Sequence, residues 1–192
     1  MKTVAIVLVL LSSQAFCQEI TFTNENITFR LTSTHFYVDA FYWFVNVSDH
    51  DATSLIYYPV PITNENDVVD SLDIFNITEG TQPKISNKTN SGFSFILSVR
   101  RKDTVVCHIA YRQRVVGDSA RYILRSTQAW GRALEFAEYK LIVGSSIVMT
   151  GFSYKPDKIY GIDGKSIYLW KRSHFMPDRD MVFHFKTTGR KP

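Results

Sequence analysis

Cysteine is scarce in this sequence of 192 residues, which contains Cys17, Cys107 and no others. Cleavage of a leader after Cys17 would leave a single thiol, so the mature chain could form no internal disulfide. Cys107 shares its alternation with Val105, Ile109 and Tyr111, a pattern typical of a small side chain buried in a strand. We therefore expect a domain held together by its apolar core, which a chain of this length can supply.

Motifs with recognised chemistry are also missing. The sequence has no phosphate-binding glycine loop, no His-Glu-x-x-His, no paired cysteine motif and no Gly-x-Ser-x-Gly. The five histidines lack the spacing of metal ligands and stand at His35, His50, His108, His174 and His184. These absences predict a non-enzymatic protein without cofactor or metal. The alternative is an exported hydrolase or carbohydrate-active enzyme that uses Asp178, Asp180 and His184 near a strand end.

Long apolar runs are absent as well. The longest one near the N-terminus, residues 4–11, is shorter than the roughly 20 apolar residues that a membrane span needs. It follows the positive Lys2 and precedes Ala15-Phe16-Cys17, a site of the kind that signal peptidases cleave. We expect residues 1–17 to be a signal peptide and the mature protein to be periplasmic or secreted. Retention of Cys17 as a lipidated residue is the alternative.

Helix-forming sequence is weak, whereas strand patterns are frequent. Short runs of alternating apolar residues recur between turn signals, and aromatic residues make up 14% of the chain. This organisation predicts an all-β fold, a single antiparallel β-sandwich over residues 18–187 with little helix, followed by a polar tail at residues 188–192. One stretch should leave its strand at Ser126, turn around Trp130 and Gly131, and resume as a strand toward Val143.

Two N-terminal segments make more specific predictions. Residues 36–47 are apolar on both faces of a strand, which indicates a central strand covered on both sides. Residues 19–31 contain two apolar alternations separated by the polar Asn24, Glu25 and Asn26. That interruption is compatible with a hairpin or with a bulged strand.

Charge is unevenly distributed. Residues 18–90 contain ten acidic and three basic side chains, whereas residues 91–192 contain eight acidic and eighteen basic ones. The two halves could neutralise each other within one sandwich, or the basic half could meet an anionic partner. Five arginines near Tyr111 and Tyr122 are predicted to form one outward basic stripe, namely Arg112, Arg114, Arg121, Arg125 and Arg132. Since export argues against nucleic acid, an anionic envelope polymer or an envelope protein is the expected partner.

Aromatic residues and glycosylation sequons leave further alternatives. Trp43, Trp130 and Trp170, with several tyrosines, could form a carbohydrate platform, but core packing is the more usual use of such residues. Trp130 is predicted to seal one end of the sandwich.

Sequons begin at Asn26, Asn46, Asn76 and Asn87. They suggest glycosylation in a eukaryotic secreted protein and coincidence in a bacterial one, and the apolar strand around Asn46 favours coincidence.

Two motifs resemble a group of bacterial extracytoplasmic proteins of unknown function. They are Tyr122-Ile-Leu-x-Ser-Thr-x-x-Trp130 and Phe175-x-Pro177-x-x-Asp180-x-x-Phe183, and the resemblance covers roughly the second half of the chain. It implies a bacterial envelope β-sandwich in which Tyr122, Thr127, Trp130, Pro177 and Asp180 are structural, and it implies no chemistry.

The leading hypothesis is therefore an exported, non-catalytic β-sandwich that binds a partner or forms part of the bacterial envelope. Besides the hydrolase, a secreted carrier of a small ligand is a second alternative. A carrier needs a closed barrel with an empty apolar interior, whereas the aromatic content predicts a filled interior.

Overall fold

A computed structural model describes residues 19–61, 69–89 and 91–188, except for the side chain of Asp70. The predicted signal peptide and most of the predicted polar tail lie outside these residues. The described residues form thirteen strands and one 3₁₀ helix. The strands are β1 Ile20–Leu31, β2 His35–Asn46, β3 Ala52–Pro59, β4 Val69–Asn76, β5 Ile85–Thr89, β6 Gly92–Val99, β7 Thr104–Arg114, β8 Ser119–Tyr122, β9 Leu134–Gly144, β10 Ile147–Phe152, β11 Lys158–Ile162, β12 Lys165–Phe175 and β13 Met181–Thr187. The 3₁₀ helix is Arg125–Trp130.

The strands form three sheets. The large sheet has the order β11-β12-β9-β1-β2-β7-β4. The β6 sheet has the order β3-β6-β5, and the β13 sheet has the order β10-β13-β8. All pairs are antiparallel except β1 with β9, which is parallel.

The two small sheets pack side by side on one face of the large sheet. Phe29 of β1 contacts Phe183 of β13 with ring centroids 5.2 Å apart, and Tyr42 of β2 contacts Tyr58 of β3 at 5.7 Å. The prediction of an all-β sandwich is confirmed. The second layer of the sandwich therefore consists of two sheets. We call the boundary between β3 of one sheet and β8 of the other the seam.

The core follows the period-2 alternation of the sequence. On β7, Val105, Cys107, Ile109 and Tyr111 are all buried, as predicted for Cys107. Burial raises the pKa of the Cys107 thiol to about 12, so the thiol stays protonated and unreactive at neutral pH. Each large apolar side chain buried in this way contributes roughly 1.5–3 kcal/mol to folding.

Strand β2 is central in its sheet, but the prediction of cover on both faces was wrong. It lies between β1 and β7 and turns Phe36, Tyr42 and Phe44 into the core. Phe41 on the other face is 37% exposed and packs beside His108 of β7, with ring centroids 4.9 Å apart. Its apolar surface is thus shielded by a neighbour in the same sheet, which alternation within one strand does not reveal.

Strand β1 has the bulge that was one of two predictions for it. Its pairing with β2 shifts register between Phe22 and Asn24. Before the bulge Ile20 and Phe22 face the core, and after it Glu25 and Ile27 do so. The extra residue reverses the alternation, and it thereby turns a carboxylate into the interior.

The stretch from Tyr122 to Val143 has the predicted order of strand, turn and strand, but its first strand ends at Tyr122 and not at Ser126. Strand β8 ends at Tyr122, the 3₁₀ helix ends at Trp130, and β9 carries the chain to Gly144. Gly131 follows the helix with a φ of 66°, a left-handed conformation that glycine adopts readily. Within the described residues, no helix has the length and apolar character that crossing a membrane would require.

Candidate functional site

A cavity of about 340 Å³ lies at the seam of the second layer. Strands β1 and β2 of the large sheet form its floor, β3 forms one wall, and the segment after β8 forms the other. Its walls are mainly aromatic and aliphatic. The lining residues are Phe22, Glu25, Tyr42, Phe44, Ser54, Leu55, Ile56, Tyr57, Tyr58, Pro59, Phe95, Ile109, Tyr122, Ile123, Ser126, Thr127, Ala129 and Trp130.

The 3₁₀ helix that borders the cavity is fixed by the segment before β13. One carboxylate oxygen of Asp180, Oδ1, accepts hydrogen bonds from the backbone N–H groups of Leu124 and Arg125, both at 3.2 Å. The side-chain amide of Gln128 donates to the backbone carbonyl of Pro177 at 2.6 Å. The two motifs that carried the resemblance therefore meet in space. Asp180, for which the resemblance implied a structural role, thus accepts both backbone hydrogen bonds at the start of the 3₁₀ helix.

Trp130 is held at the cavity by two phenylalanines of the large sheet. Its ring centroid lies 5.9 Å from that of Phe22 and 5.7 Å from that of Phe44. Trp130 is half-buried, and Thr127 on the same helix is buried. The indole thus covers one end of the space between the layers, as predicted, but it closes a cavity rather than a filled core.

Glu25 is the acidic group of the cavity and is 1% exposed. The hydroxyl of Tyr139, on β9, donates a hydrogen bond to Oε1 of Glu25. Burial raises the pKa of Glu25 from 4.5 to about 7, although the hydrogen bond from Tyr139 opposes that rise. Glu25 is therefore poised between its neutral and charged forms near neutral pH.

Three tyrosine hydroxyls meet beside Glu25. The hydroxyl of Tyr42 lies 2.8 Å from that of Tyr58 and 2.9 Å from that of Tyr122, and all three side chains are buried. Burial raises the pKa of each tyrosine, so all three stay protonated. Two hydrogen bonds within the trio use two of its three hydroxyl protons. The third proton can serve the pair of Tyr58 and Tyr122, which also interact, so the trio keeps oxygen lone pairs as acceptors.

The five arginines of the predicted basic stripe do not all lie on one surface. Arg112, on β7, points away from the core of the large sheet, because its neighbours Tyr111 and Gln113 are buried. Arg121, on β8, lies on the outer side of the β13 sheet, because Ala120 and Tyr122 are buried. Arg112 and Arg121 thus belong to opposite faces of the sandwich.

The other three arginines do not restore a stripe. Arg114 does meet Arg121, since both line a small cleft between the end of β7 and β8. Arg125 begins the 3₁₀ helix, and its Nε lies 3.9 Å from Oδ1 of Asp180. Arg132 lines a shallow depression beside Trp43 on the outer face of the large sheet. The five side chains therefore do not form the single surface that their sequence pattern predicted.

The acidic and histidine group near β13 is divided among separate contacts. Asp178 is exposed, and hydrogen bonds from Arg179 and from the hydroxyl of Tyr154 hold its pKa below the ordinary value. Asp180 binds the 3₁₀ helix. His184 is exposed on the outer side of β13. Across the described ranges, no three His, Cys, Asp or Glu side chains are grouped so that they could hold a metal ion.

Two sequon asparagines are structural. Asn46 is buried, and its side-chain amide donates to the carbonyls of His50 at 2.8 Å and Val99 at 3.0 Å. Asn76 is buried as well, and its side-chain oxygen accepts a hydrogen bond from the N–H of Glu79. A glycan on the Asn46 amide nitrogen would displace at least one of the two hydrogen bonds that it donates.

The predicted site residues did not include Glu25, Tyr42 or Tyr58. Glu25 could have been found, because it continues the alternation of Ile27 and Phe29 toward the N-terminus. The convergence of Tyr42 with Tyr58 and Tyr122 joins the consecutive strands β2 and β3 to β8, whose Tyr122 is 80 positions from Tyr42. No local pattern encodes it.

Comparison with known proteins gives similarity of fold. No protein-family model and no curated protein matches this sequence. A crystal structure of a Legionella pneumophila protein named "putative nutrient binding protein" aligns with a TM-score of 0.69 and 15% identity, over 87% of this chain and 67% of that one. The M1 zinc metallopeptidase of Deinococcus radiodurans aligns with a TM-score of 0.52 and 8% identity, over 87% of this chain. This chain spans only 42% of the peptidase. At identities of 15% and 8%, these alignments show a shared fold and nothing further.

Proposed function

We propose that this chain is an exported, non-catalytic binding protein and that the cavity beside Trp130 holds a small organic ligand. The observation that carries the proposal is the cavity itself, about 340 Å³ in volume and lined largely by aromatic side chains. That volume lies at the small end of the roughly 300–1,000 Å³ typical of ligand pockets. A core formed for stability alone is filled by its own side chains, because an empty space forfeits packing contacts.

The polar groups of the cavity support a binding role. They include the carboxyl group of Glu25 and the hydrogen-bonded hydroxyls of Tyr42, Tyr58 and Tyr122. An apolar enclosure with a small set of convergent polar groups is the usual composition of a ligand site, since the apolar walls supply affinity and the polar groups supply orientation. The carrier alternative required a closed barrel with an empty apolar interior, whereas the space proposed here is a gap between two packed layers.

Two further observations support the proposal. The Legionella pneumophila protein with the same fold carries the name of a nutrient binding protein. The apolar run at residues 4–11 and the small residues that follow it have the character of a signal peptide. Both observations fit a protein that binds its ligand outside the cytoplasm, in the bacterial envelope.

The proposal is tested by blocking the cavity. Ser54, on β3, is half-buried and lines the cavity, whereas its neighbour Thr53 is exposed on the other face of the strand. We expect Ser54→Phe to abolish binding of small aromatic and aliphatic probes, measured through the fluorescence of Trp130 and by calorimetry. Thr53→Phe adds a similar ring outside the cavity and serves as the matched control. Equal binding by both variants would contradict the proposed site.

A further inference from the structure

The cavity carries a single acidic group and no opposing base. Glu25 is its only carboxylate, and no Lys or Arg is found among the described residues that line it. Among the lining tyrosines, burial keeps Tyr42, Tyr58 and Tyr122 neutral by raising the pKa of each. A ligand in this space therefore meets one potential negative charge and no compensating positive charge from the protein.

The walls of the cavity suit a cation. The rings of Phe22, Phe44 and Trp130 cluster with centroids 5.5–5.9 Å apart, and Tyr42 lies 5.8 Å from Phe22. The faces of aromatic rings attract organic cations, and tryptophan does so most strongly. An aromatic enclosure beside a carboxylate is the arrangement that recognises ammonium groups.

We propose that the ligand of this cavity is a small organic ammonium ion, with its charge beside Glu25 and its carbon skeleton against the rings around Trp130. This inference rests on the proposed function and names the chemical class of its ligand.

The hydrogen bonding of Glu25 leaves room for such a partner. One carboxylate oxygen accepts from Tyr139, and the other accepts no hydrogen bond from a described residue. The groups that face Glu25 from other strands are Tyr42 of β2, Tyr122 of β8 and Tyr139 of β9. All three are neutral hydroxyls, so none of them supplies the positive charge that would stabilise a buried carboxylate. An ammonium ion would supply that charge and a donor for the unused oxygen.

Binding should accordingly depend on pH. In the empty protein the pKa of Glu25 is about 7, so the carboxyl group takes up a proton as the pH falls below neutrality. An ammonium ligand binds the charged carboxylate, so its affinity should be constant between about pH 8 and 9, where the amine still holds its proton, and should weaken as the pH falls through 7 toward 5. A neutral ligand of the same shape should show no such dependence.

The experiment compares 2-phenylethylamine with 2-phenylethanol, which have similar size but differ in charge. Both are titrated calorimetrically into the purified full chain at pH 8 and pH 5.5, and the titrations are repeated with Glu25→Gln. We expect the amine to bind about tenfold more tightly than the alcohol at pH 8, a preference that the charged hydrogen bond supports. The preference should shrink at pH 5.5 and disappear in Glu25→Gln, while the alcohol's affinity stays the same throughout.

The outcomes separate this inference from the proposed function. If the alcohol binds as tightly as the amine at pH 8, the ammonium inference is overturned and the cavity remains a ligand site. If a wider probe set yields only neutral or anionic ligands, and Ser54→Phe removes their binding, that result also overturns the ammonium inference and leaves the cavity a ligand site. If no probe binds at millimolar concentration, both the inference and the proposed function fail. The comparison of the two ligands on the unaltered chain remains decisive even if Glu25→Gln does not fold.

Discussion

Tyr139 donates its hydroxyl hydrogen to the carboxylate of Glu25 inside the sandwich, across the parallel pair formed by β1 and β9. Both side chains are almost fully buried. The bond joins residues 114 positions apart. Its acceptor, Glu25, is the only carboxylate among the described residues that line the cavity. The bond gives the buried carboxyl group one partner, while burial raises its pKa toward the neutral form, and both allow the fold to tolerate it in the core.

The first prediction concerns the dependence of stability on pH. Folding raises the pKa of Glu25 from 4.5 to about 7, so the folded state holds a proton between these values that the unfolded state releases. The stabilisation from that proton is complete below about pH 4.5 and is lost as the pH rises to 7. Its size is on the order of 3 kcal/mol. Urea denaturation at pH 5 and pH 7.5 should show that the wild type loses more stability over this pH range than Glu25→Gln does. Equal losses by the two proteins would contradict the prediction.

The second prediction concerns the tyrosine trio. Tyr42→Phe removes the hydroxyl that joins Tyr58 and Tyr122, and it should lower the free energy of unfolding by about 1–3 kcal/mol, because the two remaining hydroxyls lose their partner. Tyr111→Phe is the matched control. The Tyr111 hydroxyl is buried and accepts or donates no hydrogen bond among the described residues, so its removal should be neutral or stabilising. Equal losses from both variants in denaturant titrations would refute this account of the trio.

The third prediction concerns the support of the 3₁₀ helix. Asp180→Ala removes the acceptor of two backbone N–H groups and should cost about 0.5–2 kcal/mol, as the loss of a helix cap does. Because the helix carries Trp130, its fluorescence should shift toward that of a solvated indole. Asp178→Ala, two residues earlier in the chain, changes an exposed carboxylate and should leave the emission unchanged. An unchanged spectrum in Asp180→Ala would mean that the helix is held by other contacts.

The fourth prediction concerns the close approach of two strands at the cavity wall. Gly92 has a φ of 154°, and a Cβ there would lie 2.3 Å from the backbone carbonyl oxygen of Tyr58. Gly92→Ala should therefore disrupt the pairing of β3 with β6 and lower stability by at least about 1 kcal/mol. Gly144→Ala is the control, since a Cβ at that position meets no described atom within 4 Å. Thermal denaturation of the two variants distinguishes them.

Much of the fold was accessible from the sequence, because a strand with one buried face leaves a period-2 pattern. The alternation around Cys107 is that of β7, and a bulged strand was one of the two predictions for the polar interruption at Asn24 in β1. What alternation cannot give is the partner of each strand. The sequence therefore did not predict the parallel pairing of β1 with β9 or the seam between the two small sheets.

The candidate site was less accessible for the same reason. The arginines share a segment of sequence, yet Arg112 and Arg121 lie on opposite faces because their strands belong to different layers. Glu25 was readable from its spacing to Ile27, but its significance depends on Tyr42 and Tyr122, which reach it from other strands. A site made by the meeting of three sheets leaves only isolated residues in the sequence.

The most direct test of the central claim is a crystal structure of the chain soaked with mixtures of small amines, alcohols and acids. The account predicts electron density for a bound compound between Trp130 and Glu25, with an ammonium group near the carboxylate. A cavity that the protein's own side chains fill in the crystal, with compounds bound only elsewhere, would contradict it.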